Sequence, residues 1–186
     1  MTSPWKCPVS AEDIGEDLRR RGTREGGGTP IRGRVLVIGI GNPGRTDDGL
    51  GPALVARLAG LALPGVDTDA NYQLNIEDAE AVSRYETVVF VDASVEAAPP
   101  YEFTELRPTA EIAMTTHELR PGAVLALCEE LYGRRPRART LAIRGYAWEL
   151  REGLSAKAEA NLAAALDFLV EWLRAGPANG PLKSRP

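Results

Sequence analysis

The stretch that most constrains this chain is "VIGIGNPGRTDDGLGP", Val37 to Pro52, because it joins two kinds of regular structure through a loop that few residues other than glycine can form. A largely β-branched apolar run from Val35 to Ile40 leads into it, and an amphipathic segment from about Leu50 to Ala62 leaves it. The stretch therefore reads as a strand, a tight loop and a helix start. Glycines at 39, 41, 44, 49 and 51 permit sharp turns and close approach of the backbone to a bound group. The same loop carries two adjacent acids, Asp47 and Asp48, which disfavour a phosphate and suit a cation. Its glycine spacing is not G-x-G-x-x-G and no Lys-Ser/Thr pair follows, so neither a dinucleotide fingerprint nor a P-loop is indicated.

Beyond the loop, the hydrophobic pattern alternates between strand and helix. Leu50, Leu54, Leu58 and Leu61 lie on one face of the first helix, a face that packs on a sheet. A turn at Pro64-Gly65 precedes a second strand from Val66 to about Tyr72, and "IEDAEAVSRY" reads as a short helix capped by Asn75. "TVVFVDAS" is a continuous apolar run of strand length that ends in Asp92, the pattern of a buried parallel strand. "YEFTELRP" alternates as an edge or antiparallel strand does, and forms a hairpin-like pair in the middle of the chain. A loop with His117, the only histidine, leads into a helix opened by Pro121 and closed by Gly133, with Val124, Cys128 and Leu131 on one face. "ARTLAIR" gives a fifth strand. The last helix is capped by Ser155 and buries Leu162, Leu166, Leu169 and Leu173. This order argues an α/β fold, a mostly parallel five-stranded sheet covered by helices on both faces.

The 186 residues, 44% of them apolar, suffice for one domain with a real core. Residues 1–31 are rich in Gly, Arg and Glu and read as a flexible N-terminal arm, residues 32–175 as the folded α/β domain, and residues 176–186 as a frayed tail. Residues 35–175 hold 13 basic and 21 acidic side chains, a net charge of about minus 8, which makes nucleic acid and anionic lipid poor partners. No apolar run is long enough to span a bilayer and no secretion signal follows Met1, so a cytoplasmic location is expected. Cys7 and Cys128 stand far apart and offer neither a disulfide framework nor a metal clamp; Cys128 reads as a free core thiol.

In parallel sheets, ligands bind outside the carboxyl ends of the strands, where the loops converge. Asp47 and Asp48 follow the first strand, Asp92 ends the third, and His117 lies in a later loop. Two carboxylates and an imidazole on separate loops suit a mixed N/O site for a divalent metal, with positions left for substrate or water. Each residue taken singly has a plainer reading: Asp48 as a helix N-cap, Asp92 as the cap of a turn, His117 as a surface side chain. Together on one edge of one sheet they favour a site.

Four segments in order, "VLVIGIGNPGRTDDGLGP", "VFVDAS", "TTHEL" and "LAIRGYAWELREGLSAKAEANLAAAL", resemble the hydrogenase maturation proteases. These trim the C-terminus of the large subunit of nickel-iron hydrogenases after nickel has been inserted. The likeness covers roughly Arg34 to Leu173 and implies a three-layer α/β/α sandwich. Position by position, it places nickel contacts and catalytic roles on Asp48, Asp92 and His117, and leaves Asp47 to cap or shape the loop. The family commonly has Glu at the position of Asp48. Many members also carry a GGT-like turn where this chain has "NYQLNIEDA", Asn71 to Ala79, a departure that bears on the partner rather than on the nickel ligands; Glu77 and Asp78 there are open to lining the same cleft, with solvated helix-start acids as the preferred reading.

The implied activity is that of an aspartic-type, nickel-dependent endopeptidase acting on a nickel-loaded large-subunit precursor. Nickel arrives transiently with the substrate. Two roles are open to it: a recognition key, or an electrophile that polarises the scissile carbonyl or a water, with Asp48 or Asp92 as base. A non-cleaving nickel-protein binding or chaperone-like module is the alternative. "GIGNPG" also resembles the opening of peptidyl-tRNA hydrolases, but the tyrosine and the "TRHN"-like segment with its histidine that follow there are missing.

Overall fold

The computed structural model describes residues 33–109 and 119–177. Five strands alternate with helices: β1 (Val35–Ile40), a single 3-10 turn (Thr46–Gly49), α1 (Leu50–Gly60), β2 (Val66–Asn71), α2 (Asp78–Ser83), β3 (Thr87–Ser94), β4 (Tyr101–Leu106), α3 (Pro121–Tyr132), β5 (Arg137–Arg144) and α4 (Ala156–Ala175). They form one sheet in the order β2-β1-β3-β5-β4, parallel except for β4, which runs antiparallel to β5 at the edge.

The central strands are apolar on both faces because helices cover both. Val35 and Val37 of β1 and Val89 and Val91 of β3 join the core under α1 and α4. Leu36, Ile38, Val88 and Phe90 alternate with them into a second core under α2 and α3. In α4, Leu162, Leu169 and Leu173 are wholly buried while Leu166 is half-buried, and burial of each full leucine contributes about 1.5–3 kcal/mol. Phe103 of β4 packs edge-on against Phe168 and Trp172 of α4, each at 5.1 Å between ring centroids, which ties the edge strand to the layer.

Three helix boundaries expected from the sequence hold. Ser155 Oγ accepts the Ala158 N–H at 3.3 Å, Pro121 opens α3, and Gly133 closes it with φ 62°. Cys128 is buried and free, and burial pushes its thiol pKa up.

Four expectations are corrected. Leu61 and Leu131 are not on buried faces but 48% and 55% exposed, because each stands at a helix end where the stripe has rotated past the sheet. Asn75 does not cap a helix through its side chain. The N-cap of α2 is Glu77, and the Asn75 N–H instead donates to Asp78 Oδ2 at 2.6 Å. Asp78 is accordingly buried rather than solvated, and a second bond from Asn71 Nδ2 at 3.1 Å anchors it to the end of β2. Burial pushes its pKa up, helped by Asp69 and Glu77 and opposed by the bonds from Asn75 and Asn71. Glu77 is exposed, as expected. Finally, β3 and β4 are not a hairpin: residues 95–100 are long enough to step across one strand, and β5 lies between them.

Close approach at Gly51 fixes how α1 enters. A Cβ there would stand 2.3 Å from Ile40 O and 2.6 Å from Val91 O, both backbone atoms of the central strands. Gly51→Ala is therefore expected to cost about 3 kcal/mol or more by overpacking, read as a lower urea midpoint with an unchanged slope.

Candidate functional site

The loops that follow β1, β2, β3 and β5 gather at one end of the sheet, as expected for parallel strands. The glycine loop turns back on itself: Gly41 has φ 134°, and a Cβ there would stand 1.9 Å from Asp48 O. The two acids that follow differ completely.

Asp47 is 0% exposed. Its Oδ2 accepts the N–H of Tyr146 at 2.7 Å, the N–H of Ala147 at 2.9 Å and the Ser155 hydroxyl at 2.8 Å, and its Oδ1 accepts the Ser155 N–H at 2.7 Å. Its own N–H donates to Ala147 O, and the Thr46 N–H to Arg151 O. One carboxylate thus locks the loop after β1 to the loop after β5 and to the cap of α4. Thr46 sits in the left-handed region at φ 46°, an uncommon place for a β-branched residue, and the bonds of Thr46 and Asp47 hold it there. Burial alone pushes the Asp47 carboxyl up, but the bonds from Ser155, Tyr146 and Ala147 outweigh it and leave the pKa below the ordinary value. The role expected for Asp47, shaping the loop, is what the geometry gives.

Asp48 is half-buried in the 3-10 turn. It does not cap α1, whose N-cap is Gly49. Its Oδ2 accepts the Asn42 N–H at 3.2 Å, while Oδ1 has no donor among the described residues. Asp92, also half-buried, lies two residues before the end of β3, opposite Ala142 in register, with Oδ1 accepting the Ala93 N–H at 2.7 Å. It does not cap the turn that follows; Ser94 Oγ does, accepting the N–H groups of Glu96 and Ala97. Along β3, Asp92 continues the Val88 and Phe90 series toward the α2/α3 face. Asp48 and Asp92 therefore stand at the carboxyl ends of the adjacent strands β1 and β3.

His117 lies outside the described residues. Leu119, two residues on, bridges Leu74 in the loop after β2 and packs on the core beneath the face that Asp92 belongs to. Among the described residues no three His, Cys, Asp or Glu side chains form a group able to hold a metal. No helix among them is long and apolar enough to cross a membrane.

Solved structures with this fold decide the comparison. The described body superimposes on a hydrogenase 2 maturation peptidase from a Thaumarchaeota archaeon with a TM-score of 0.56 and 27% identity, over 75% of this chain and 97% of that one. Its structural neighbours are hydrogenase maturation proteases. The [NiFe] hydrogenase maturation protease HycI from Thermococcus kodakarensis matches with a TM-score of 0.61 and 24% identity, over 76% of this chain and 92% of that one. The maturating endopeptidase HybD from E. coli matches with a TM-score of 0.60 and 23% identity, over 76% and 93%. No protein family and no curated protein matches the sequence. These maturation proteases share the three-layer architecture, so the fold read from the sequence stands.

Sequence reasoning missed how Asp47 is held, because its donors lie 99 to 108 residues away. It also missed Arg144, which closes β5 beside this end of the sheet. The Asp47 bonds set a pH dependence. A carboxyl with a depressed pKa stabilises fully above its unfolded value of about 3.9, and that contribution is lost as pH falls through the folded value. Asp47→Asn, which keeps the shape but puts an amide against backbone donors, is expected to cost about 2–4 kcal/mol at pH 7 in urea titration. The gap from wild type starts to narrow below about pH 4, where the carboxyl of the unfolded wild-type chain protonates, and closes as pH falls through the lower folded value.

Proposed function

We propose that this chain is an endopeptidase that removes the C-terminal extension of a nickel-iron hydrogenase large-subunit precursor after nickel insertion. The observation that carries the reading is the placement of Asp48 and Asp92 at the carboxyl ends of neighbouring strands, within a fold shared with maturation peptidases across nearly their whole length.

The donor set fits a cation delivered by the substrate. Asp48 and Asp92 supply carboxylate oxygens and His117 an imidazole, a comparatively hard and incomplete set that binds free nickel weakly and reversibly. Nickel already held by the precursor's own thiolates completes its coordination here, so that only a loaded precursor seats productively. The bound ion would supply Lewis acidity near the scissile carbonyl. The chain's own residues do the rest: Asp48 and Asp92 orient the incoming segment, and a carboxylate oxygen that the cation leaves free takes a proton from the attacking water and passes it to the leaving amine as the peptide C–N bond breaks. Asp48 is prepared for this by the bond from the Asn42 N–H, which fixes one oxygen and leaves the other open.

Asp92→Ala and His117→Ala are each expected to abolish processing of a nickel-loaded precursor, followed by the mass of the large subunit, while leaving thermal unfolding within a few degrees of wild type. Processing at the wild-type rate in either variant would remove that residue from the site. Incubation of wild type with loaded and nickel-free precursor separates the roles of nickel. Cleavage of the loaded form alone makes the metal the key, cleavage of both removes it as one, and cleavage of neither leaves a binding module.

A further inference from the structure

Arg144 is the last residue of β5, two positions beyond the register partner of Asp92. Its guanidinium is placed by one bond, Nη1 to Ala97 O at 3.2 Å, while Nε is buried with no hydrogen-bond partner. No carboxylate reaches it among the described residues, although a half-buried guanidinium ordinarily takes one. Its charge lies 5.5 Å from the ring centroid of Tyr146, and Lys157 lies 5.6 Å from the same ring. Lys157 stands in the first turn of α4, where the helix dipole disfavours a cation, and it too has no acidic partner among the described residues.

Tyr146 is not a mobile tether for these charges. Its N–H is bonded to Asp47, and its hydroxyl accepts Asn161 Nδ2 at 3.2 Å. The same clamped loop exposes Leu150 at 86% and pairs Arg151 with Arg45 of the glycine loop. The clamped loop thus presents, at the end of the sheet that carries Asp48 and Asp92, a lip whose cations have no acidic partner among the described residues, and an apolar side chain that lacks cover. Glu149 and Glu152 flank Arg151 in sequence, yet no ion pair forms between them.

We propose that this lip is a docking surface for the substrate polypeptide, in which Arg144 and Lys157 receive an acidic side chain of that polypeptide over the Tyr146 ring, with an apolar neighbour laid against Leu150. Charge complementarity selects the occupant: a single aspartate or glutamate pairs with the Arg144 and Lys157 cations at contact, whereas the many charges of a lipid or nucleic acid surface meet the acidic body over a wide area. Arg144 is here a specificity residue and takes no part in bond cleavage. The inference rests on the processing reading for which polypeptide docks, and the test is kept independent of it.

The probe is a fluorescein-labelled, C-terminally amidated 16-residue peptide of alternating apolar and small polar residues with one central Glu, alongside versions with Gln or Lys there and a Gln version with a free C-terminus. Binding to the full chain is read by polarisation at low salt. Wild type is expected to prefer the Glu peptide over the Lys peptide by about fivefold to tenfold. Arg144→Gln is expected to lose that preference, with far-UV circular dichroism unchanged, and Arg144→Lys to keep part of it. Equal affinity for the three amidated peptides, no binding by any of them, tighter binding of the free C-terminus than of Glu, or a preference that survives Arg144→Gln overturns the proposal. An acid preference in a protein that cleaves no precursor upholds the surface and fails the protease reading alone.

Discussion

Burying the carboxylate of Asp47 would be prohibitive without the four hydrogen bonds it accepts, and those bonds decide the shape of the whole carboxyl end of the sheet. A buried charge that is fully bonded rigidifies its surroundings, because any movement that lengthens one bond exposes the cost of desolvation. The strands it connects, β1 and β5, both neighbour β3, so the clamp closes across the end of β3 near Asp92. Thr46 is held at positive φ as part of the same arrangement, and the Ser155 hydroxyl that donates to Asp47 also caps α4. Loop conformation, helix start and site position are therefore one coupled unit rather than three.

That coupling explains why two adjacent acids do different work. Asp47 spends its lone pairs on structure. Asp48, one residue on, accepts a single N–H and keeps an oxygen open, in a turn whose course is set by the clamp beside it. A chain with only one of the two would have either a rigid loop without an open carboxylate or an open carboxylate on a loose loop. The tight approaches at Gly41 and Gly51 serve the same end by letting the loop lie directly on the strand ends.

Much of this was legible in the sequence where the signal is local. Continuous apolar runs gave β1 and β3, the glycine loop gave the turn into α1, and Ser155, Pro121 and Gly133 marked helix ends because capping acts within a few residues. The candidate end of the sheet followed from topology, and Asp48 and Asp92 stand there. What was not legible depends on distant partners. The place of β4 beyond β5 is set by which strand edges meet, and nothing in "YEFTELRP" records it. Asp78 looked like a solvated helix-start acid because its donors are Asn71 at the end of β2 and Asn75 in the loop that follows, and the sequence does not give the path of that loop. Leu61 and Leu131 fitted a stripe by spacing, but spacing does not say where the sheet ends. Arg144 read only as the end of the fifth strand, since its lack of an acidic partner among the described residues is visible only in the structure.

The charge distribution then constrains how a substrate reaches this end. A body of about minus 8 repels an acidic segment beyond roughly 8–10 Å at physiological salt, the range over which exposed charges act. The lip cations cannot reverse that far field. They act at contact, where Arg144 and Lys157 flank one ring. Encounter and selection are thus opposed: salt relieves the long-range repulsion while weakening the short-range pair. A surface of this kind contributes little to the rate of encounter and most to rejecting segments that lack an acid at the right register, since those leave the Arg144 guanidinium without an acidic partner.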